Sequence, residues 1–196
     1  MKMPHMKMHF GIDYGSKLAG TTVICCNQDD KLYLYSSRKK EDSDAFISQK
    51  IQELNPSAVY LDAPLSIPAA YFGKGDNFHY RKCDVECKAM SPMFLGGLTA
   101  RAMKLSNNHS SLKFHETYPG YFIREVIEAK EIYKKKEKEV NQEIIDLILS
   151  KVELPFIDSI DNYHQLDAVI CWLSGKRHVE KKHVVLGDKG EGVIVV

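Results

Sequence analysis

A chain of 196 residues with 44% hydrophobic and 27% charged content is long enough for one domain with a real core, and this composition argues against a disordered chain. With 27 basic against 26 acidic residues the formal charge is +1, which excludes a global polyanion-binding field and leaves only local patches for such contacts. The five cysteines include the adjacent pair Cys25-Cys26, poor geometry for a disulfide framework, and Cys83 and Cys87 lack two further ligands at zinc-site spacing. Residues 1–9 carry Lys2 and Lys7 but no apolar run of the signal-peptide kind, and no segment is long enough to cross a bilayer. The expectation is a cytoplasmic protein without a membrane partner.

From Met8 to Ile24 the chain reads as strand, Gly-rich turn, strand, and Lys31 to Ser36 alternates as a third, so a three-strand meander opens it. Ser43 is placed to cap a helix with Ile47, Ile51 and Leu54 at helical spacing, ended by Asn55-Pro56. Ala58 to Asp62 follows as a buried strand, and a strand, a helix and a strand in sequence favour a right-handed crossover with parallel pairing. Residues 65–111 form an expected loop-rich insertion, broken by Pro68, Gly73 and Gly75, with one helix from Met93 to Leu105 behind Ser91-Pro92. Lys113 to Tyr118 has strand character, and Tyr121 to Val152 reads as helical. Within that stretch Lys134-Lys135-Lys136 reads as a solvated face rather than a phosphate contact. The last helix is expected from Ser159 to Ser174 with Gly175 as its stop, and the tail reads as a hairpin around Gly187 to Gly192.

Four acids stand out by position. Asp13 sits inside the apolar run of the first strand and is followed by Gly15 and Gly20; a carboxylate there is costly to bury unless a cation or hydrogen bonds meet it. Asp62 ends its strand at the carboxyl edge where open α/β sheets place ligands. Glu116 lies in the next strand, and Asp167 at the margin of the apolar face of the final helix. If the first and fourth strands are neighbours, Asp13 and Asp62 converge, and the final helix adds Asp167. Such a cluster repels itself without cations, and hard divalent ions such as Mg2+ or Mn2+ resolve that repulsion while keeping waters and phosphate oxygens. Singly, each acid also has a bland reading, Asp62 as a turn residue and Asp167 as a helix pairing.

These positions resemble the ribonuclease H-like superfamily, and more closely a family of predicted nucleases within it. The likeness rests on Gly11-Ile12-Asp13, Leu61-Asp62-Ala63-Pro64, Arg81 with Asp84, His115-Glu116-Thr117-Tyr118-Pro119, Leu166-Asp167-Ala168, and the tail Gly187-Asp188 with Glu191-Gly192-Val193-Ile194-Val195. It implies a single α/β domain over 1–196, with a mixed five-stranded sheet flanked by helices. It also implies metal-dependent hydrolysis of nucleic acid, with Asp13, Asp62, Glu116 and Asp167 as metal ligands. Many members of the superfamily take their second acid from the first helix; that helix offers only Asp44 and Glu53 here, so Glu116 stands in. The resemblance also suggests that Arg81 and Asp84 face the site, where Arg81 holds a phosphate or merely pairs with Asp84. Lys17, in the Gly15 to Gly20 turn, is the other candidate substrate contact.

Two other readings compete. Asp13-Tyr14-Gly15 locally fits the Asp-x-Gly turn of sugar kinases and chaperone-like ATPases, which implies nucleotide binding, although the chain has no second strand of that kind. The other is a non-catalytic module that uses the same cleft for binding, with little grip on long duplex DNA given its charge.

Overall fold

A computed structural model describes residues 7–133 and 139–196. Strands β1 (Phe10–Asp13), β2 (Val23–Gln28) and β3 (Lys31–Ser36) form the antiparallel meander. Asp29 and Asp30, both at positive φ, close the tight turn between β2 and β3, a conformation that short polar side chains tolerate. Helix α1 (Ser43–Leu54) is capped one residue earlier than expected: the Asp42 carboxylate accepts from the Asp44 and Ala45 N–H groups. Left-handed Asn55 ends it, just before Pro56. β4 (Ala58–Asp62) then returns parallel to β1.

The segment 65–111 is more ordered than its prolines and glycines suggest. It holds a 3-10 turn at Ala69–Phe72 and three helices, α2 (Lys82–Cys87), α3 (Pro92–Leu95) and α4 (Gly97–Asn108). The expected single helix from Met93 breaks at Gly96, where φ is 41°. After β5 (Lys113–Glu116) the chain forms a short α5 (Pro119–Tyr121), one wide turn at Phe122–Val126, and α6 (Gln142–Leu149). The helical pattern read across Tyr121 to Val152 is therefore interrupted, and its Lys134-Lys135-Lys136 portion lies outside the described residues. Helix α7 (Tyr163–Val179) precedes the hairpin of β6 (Val185–Asp188) and β7 (Gly192–Val195).

The described residues form an α/β structure with one seven-stranded mixed sheet in the order β3-β2-β1-β4-β5-β7-β6. The count is seven rather than five because the tail hairpin joins the sheet. β7 pairs parallel with β5 at Glu116 and Ile194, and burying Ile194, Val195 and Val196 is the apolar reason for it to do so. Alternation then divides the core into two layers. Phe10, Ile12, Ile24, Val59 and Leu61 pack with α1 and α4 residues such as Ile47, Ala102 and Leu105, whereas Val23 and Cys25 pack with Leu166, Ala168 and Trp172 of α7.

α7 outruns its expected stop by four residues. Gly175 lies inside it, where a Cβ would stand 2.5 Å from ring atoms of both His9 and Tyr60, so this glycine serves close packing instead of termination. Gly11 does the same on the strand side. A Cβ there would lie 2.0 Å from the Trp172 backbone nitrogen and 2.6 Å from the Ala168 carbonyl, so the helix backbone rests directly on β1. Among the described residues no helix is long and apolar enough to cross a membrane.

Candidate metal centre

Because β1 and β4 are parallel and in register at Asp13 and Asp62, both carboxylates emerge at the same end of adjacent strands. Parity sends both to the α7 layer: Asp13 is two residues past Gly11, on which α7 rests, and Asp62 is two past Tyr60, whose hydroxyl lies 2.9 Å from His178 Nδ1 of α7. Asp167 precedes Ala168, the residue in backbone contact with Gly11, and so arrives beside them. One ligand oxygen from each of Asp13, Asp62 and Asp167 lies within 4.8 Å of the others, and this trio is the one such His, Cys, Asp or Glu group found among the described residues. Asp13 and Asp167 are buried and Asp62 is half-buried. Hard oxygen donors at this spacing suit Mg2+ or Mn2+.

Three further groups surround the trio, none of them singled out by sequence. His164 lies three residues before Asp167 on α7, and its Nδ1 is 2.7 Å from Asp13 Oδ2. Helical spacing alone puts these two side chains on one face, and that was the readable signal. The Tyr133 hydroxyl donates to Asp167 Oδ1. Burial first, then the charge and hydrogen bond of Asp167 with smaller effects of Asp62 and Asp13, hold the Tyr133 phenol far above its usual range, so it stays a neutral donor over the cluster. Tyr133 lies in a Lys- and Glu-rich stretch with no periodicity to point at the site. Thr117 is third: its N–H donates to the Leu61 carbonyl at 3.0 Å, which sets it beside Asp62 on the neighbouring strand. Its hydroxyl oxygen is buried and has no hydrogen-bond partner among the described residues. An orphaned buried hydroxyl is costly and fits a site whose remaining ligand shell is water or substrate.

Glu116, expected as the fourth ligand, lies elsewhere, and the reason is parity. It shares its face of β5 with Phe114, which packs on the α1 and α4 layer, while His115 and Thr117 take the α7 face. Glu116 accepts two hydrogen bonds from Arg81, from Nη1 at 2.7 Å and Nη2 at 2.6 Å, and a third from the Leu65 N–H at 3.0 Å.

Arg81 is wholly buried. Besides Glu116 it holds both carboxylate oxygens of Asp84, at 2.6 and 3.1 Å, and the Ser66 hydroxyl at 2.8 Å. Burial opposes its charge, yet the hydrogen bonds of Glu116 and Asp84 and the charge of Glu116 raise its pKa, so the guanidinium stays protonated. Of the two roles expected for Arg81, pairing is the one occupied: the cation neutralises protein carboxylates and has no donor turned to an open cleft. Lys17 is likewise taken up, 3.0 Å from Asp42 Oδ2 near the start of α1. Beside it, Arg101 donates to both Asp44 oxygens at 2.7 and 3.0 Å, and Tyr14 donates to the same carboxylate at 2.5 Å. That network buttresses the first turn of α1.

Against known proteins, no family model matches the chain, and neither a curated protein nor a solved structure matches it.

Proposed function

We propose that the chain is a metal-dependent phosphodiesterase acting on nucleic acid, with Asp13, Asp62 and Asp167 as ligands for Mg2+ or Mn2+. The observation that carries this reading is the convergence of three carboxylates from two strands and a helix within 4.8 Å. Three like charges held that closely repel one another, and a divalent cation relieves the repulsion. The strand order β3-β2-β1-β4-β5, with an acid on β1, another ending β4 and a third on a late helix, supports a ribonuclease H-like reading of the fold.

Divalent ions held by Asp13, Asp62 and Asp167 would supply activation of a water and stabilisation of the leaving oxygen in phosphodiester cleavage. The protein's own part is positional. Asp13 and Asp62 are fixed by sheet register, Asp167 by the contact of α7 with Gly11, and His164 orients Asp13 through its Nδ1. Thr117 offers one uncommitted hydroxyl to whatever water or phosphate oxygen lies next to Asp62. Glu116 and Arg81 act beneath the site, tying the segment after Asp62 to β5.

Purified protein is expected to cleave members of a panel of RNA, DNA and hybrid strands with Mg2+ or Mn2+ and not with chelator. Asp13→Asn is expected to lower the rate at least about 100-fold. Cleavage that persists in chelator or in Asp13→Asn removes the site from the reaction.

A further inference from the structure

Thr117 follows β5 directly, and backbone pairing sets its place. β5 runs parallel to β4 with Tyr60 opposite His115 and Leu61 opposite Glu116, and the Thr117 N–H continues that ladder by donating to the Leu61 carbonyl at 3.0 Å. Thr117 therefore stands opposite Asp62. Asp62 in turn stands opposite Asp13, so Asp13, Asp62 and Thr117 form one row across the adjacent strands β1, β4 and β5. Alternation puts the threonine on the α7 side, two residues past His115, whose ring stacks on Tyr60 at 5.0 Å and meets His178 of α7 at 4.7 Å. The row that carries two of the three aspartates thus ends in a hydroxyl.

Thr117 is only 2% exposed, and its Oγ1 has no hydrogen-bond partner among the described residues. Neighbouring strands lie about 4.8 Å apart, so this hydroxyl and the Asp62 carboxylate share one small space without bonding to each other. A buried hydroxyl left unpaired costs folding free energy, whereas valine would fill the same volume without that cost. Stability is therefore not what the hydroxyl serves.

The backbone around it is braced. Glu116 accepts the Leu65 N–H and two N–H groups of Arg81, which is itself held by Asp84. A β-branched side chain on so fixed a backbone has few rotamers, and a ligand pays little to order it. The hydroxyl is also neutral, which matters for what it can meet. Lys17 and Arg81, the cations expected to contact substrate, spend their charge on Asp42, Asp84 and Glu116. A divalent cation on the aspartates supplies attraction for a phosphate, and a hydroxyl beside it adds a directed donor, where a fourth carboxylate would repel the same group.

We propose that Thr117 is the phosphate-contacting residue of the site, its Oγ1–H donating to a non-bridging phosphate oxygen of the nucleic acid held beside Asp62. This rests on the metal-dependent reading of the three aspartates, and it is measurable without turnover. Thr117→Val removes the hydroxyl at nearly constant shape, and Thr117→Ser keeps it. In EDTA, Thr117→Val is expected to melt at least about 2 °C above wild type, because the hydroxyl it removes is buried and unpaired. In saturating Mn2+, calorimetric titration with 5′-AMP, which has no diester to cleave, is expected to show about tenfold weaker binding to Thr117→Val and near wild-type binding to Thr117→Ser. Affinity for Mn2+ alone is expected to stay within about twofold in both variants, since the hydroxyl is not a metal ligand.

A Thr117→Val protein that melts at or below wild type in EDTA, binds 5′-AMP as tightly, or loses Mn2+ itself overturns the contact. Absence of Mn2+ binding in wild type removes the metal reading and the contact with it. Binding of 5′-AMP that depends on Thr117, in a wild-type protein that cleaves no strand with Mn2+, removes the hydrolase reading and leaves the contact standing. Metal-dependent cleavage with an unchanged KM in Thr117→Val removes only the contact.

Discussion

In the proposed metal site, Tyr133 would compete with a divalent cation for the Asp167 carboxylate. The hydroxyl of this half-buried tyrosine donates to Asp167, one of the three proposed ligands, and in doing so offsets part of the repulsion among the aspartates. A hydrogen bond to a charged carboxylate is worth about 1.5–3 kcal/mol. Tyr133→Phe is therefore expected to lower the metal-free melting temperature and tighten Mn2+ binding about tenfold, measured by calorimetric titration. Unchanged affinity would mean that the hydroxyl does not occupy a ligand position. At this scale the sequence was legible where backbone geometry alone sets the side chain. Asp13 and Asp62 follow from strand register and Asp167 from helix phase. Glu116 misled because the motif His115-Glu116-Thr117 contains one acid, while alternation gives its site-facing positions to the residues on either side. Tyr133 was invisible, since a tertiary contact from an irregular segment leaves no periodic trace.

The position of α7 depends on two glycines and on a histidine group at its far end. Gly11 and Gly175 remove the side chains that would hold the helix off β1 and off the His9 and Tyr60 rings, and neither role is visible before the helix is docked. That is why Gly175 read as a stop. Near the C-terminal end of α7, His178 contacts His115 of β5 at 4.7 Å and His183 at 4.3 Å, while Tyr60 of β4 stacks on His115 at 5.0 Å. Burial, then the neighbouring His178, Lys113 and His183, push the His115 imidazole down to about 4 from 6.5. The folded state therefore favours neutral His115, and between pH 6.5 and 4 the unfolded chain binds the extra proton. This contribution to stability is complete above pH 6.5 and is lost as pH falls toward 4. Urea denaturation should show His115→Gln losing less stability than wild type over that window, by about 1–2 kcal/mol once solvent screening of the partly exposed ring is allowed for. Parallel pH profiles for the two proteins would contradict this. The insertion was the least legible element, because its order comes from side chains far apart in sequence. Arg81 joins Asp84, Ser66 and Glu116, and Glu191 of the tail clips Ala69 and Lys82.

Across the whole molecule, the sheet sets β1 and β4 side by side so that their terminal aspartates meet α7 at one edge, and the insertion and tail hairpin extend that edge. The meander and the crossover were readable from alternation and turn residues. The tail hairpin was readable too, but not its attachment to β5, because an edge pairing depends on which strand is left uncovered. The central claim is that Asp13, Asp62 and Asp167 together hold a divalent cation. Anomalous scattering from crystals soaked in Mn2+ tests it most directly. The account predicts a manganese peak about 2.2 Å from oxygens of all three aspartates, absent in Asp167→Asn crystals. A peak at another site, or none at millimolar Mn2+, would contradict it.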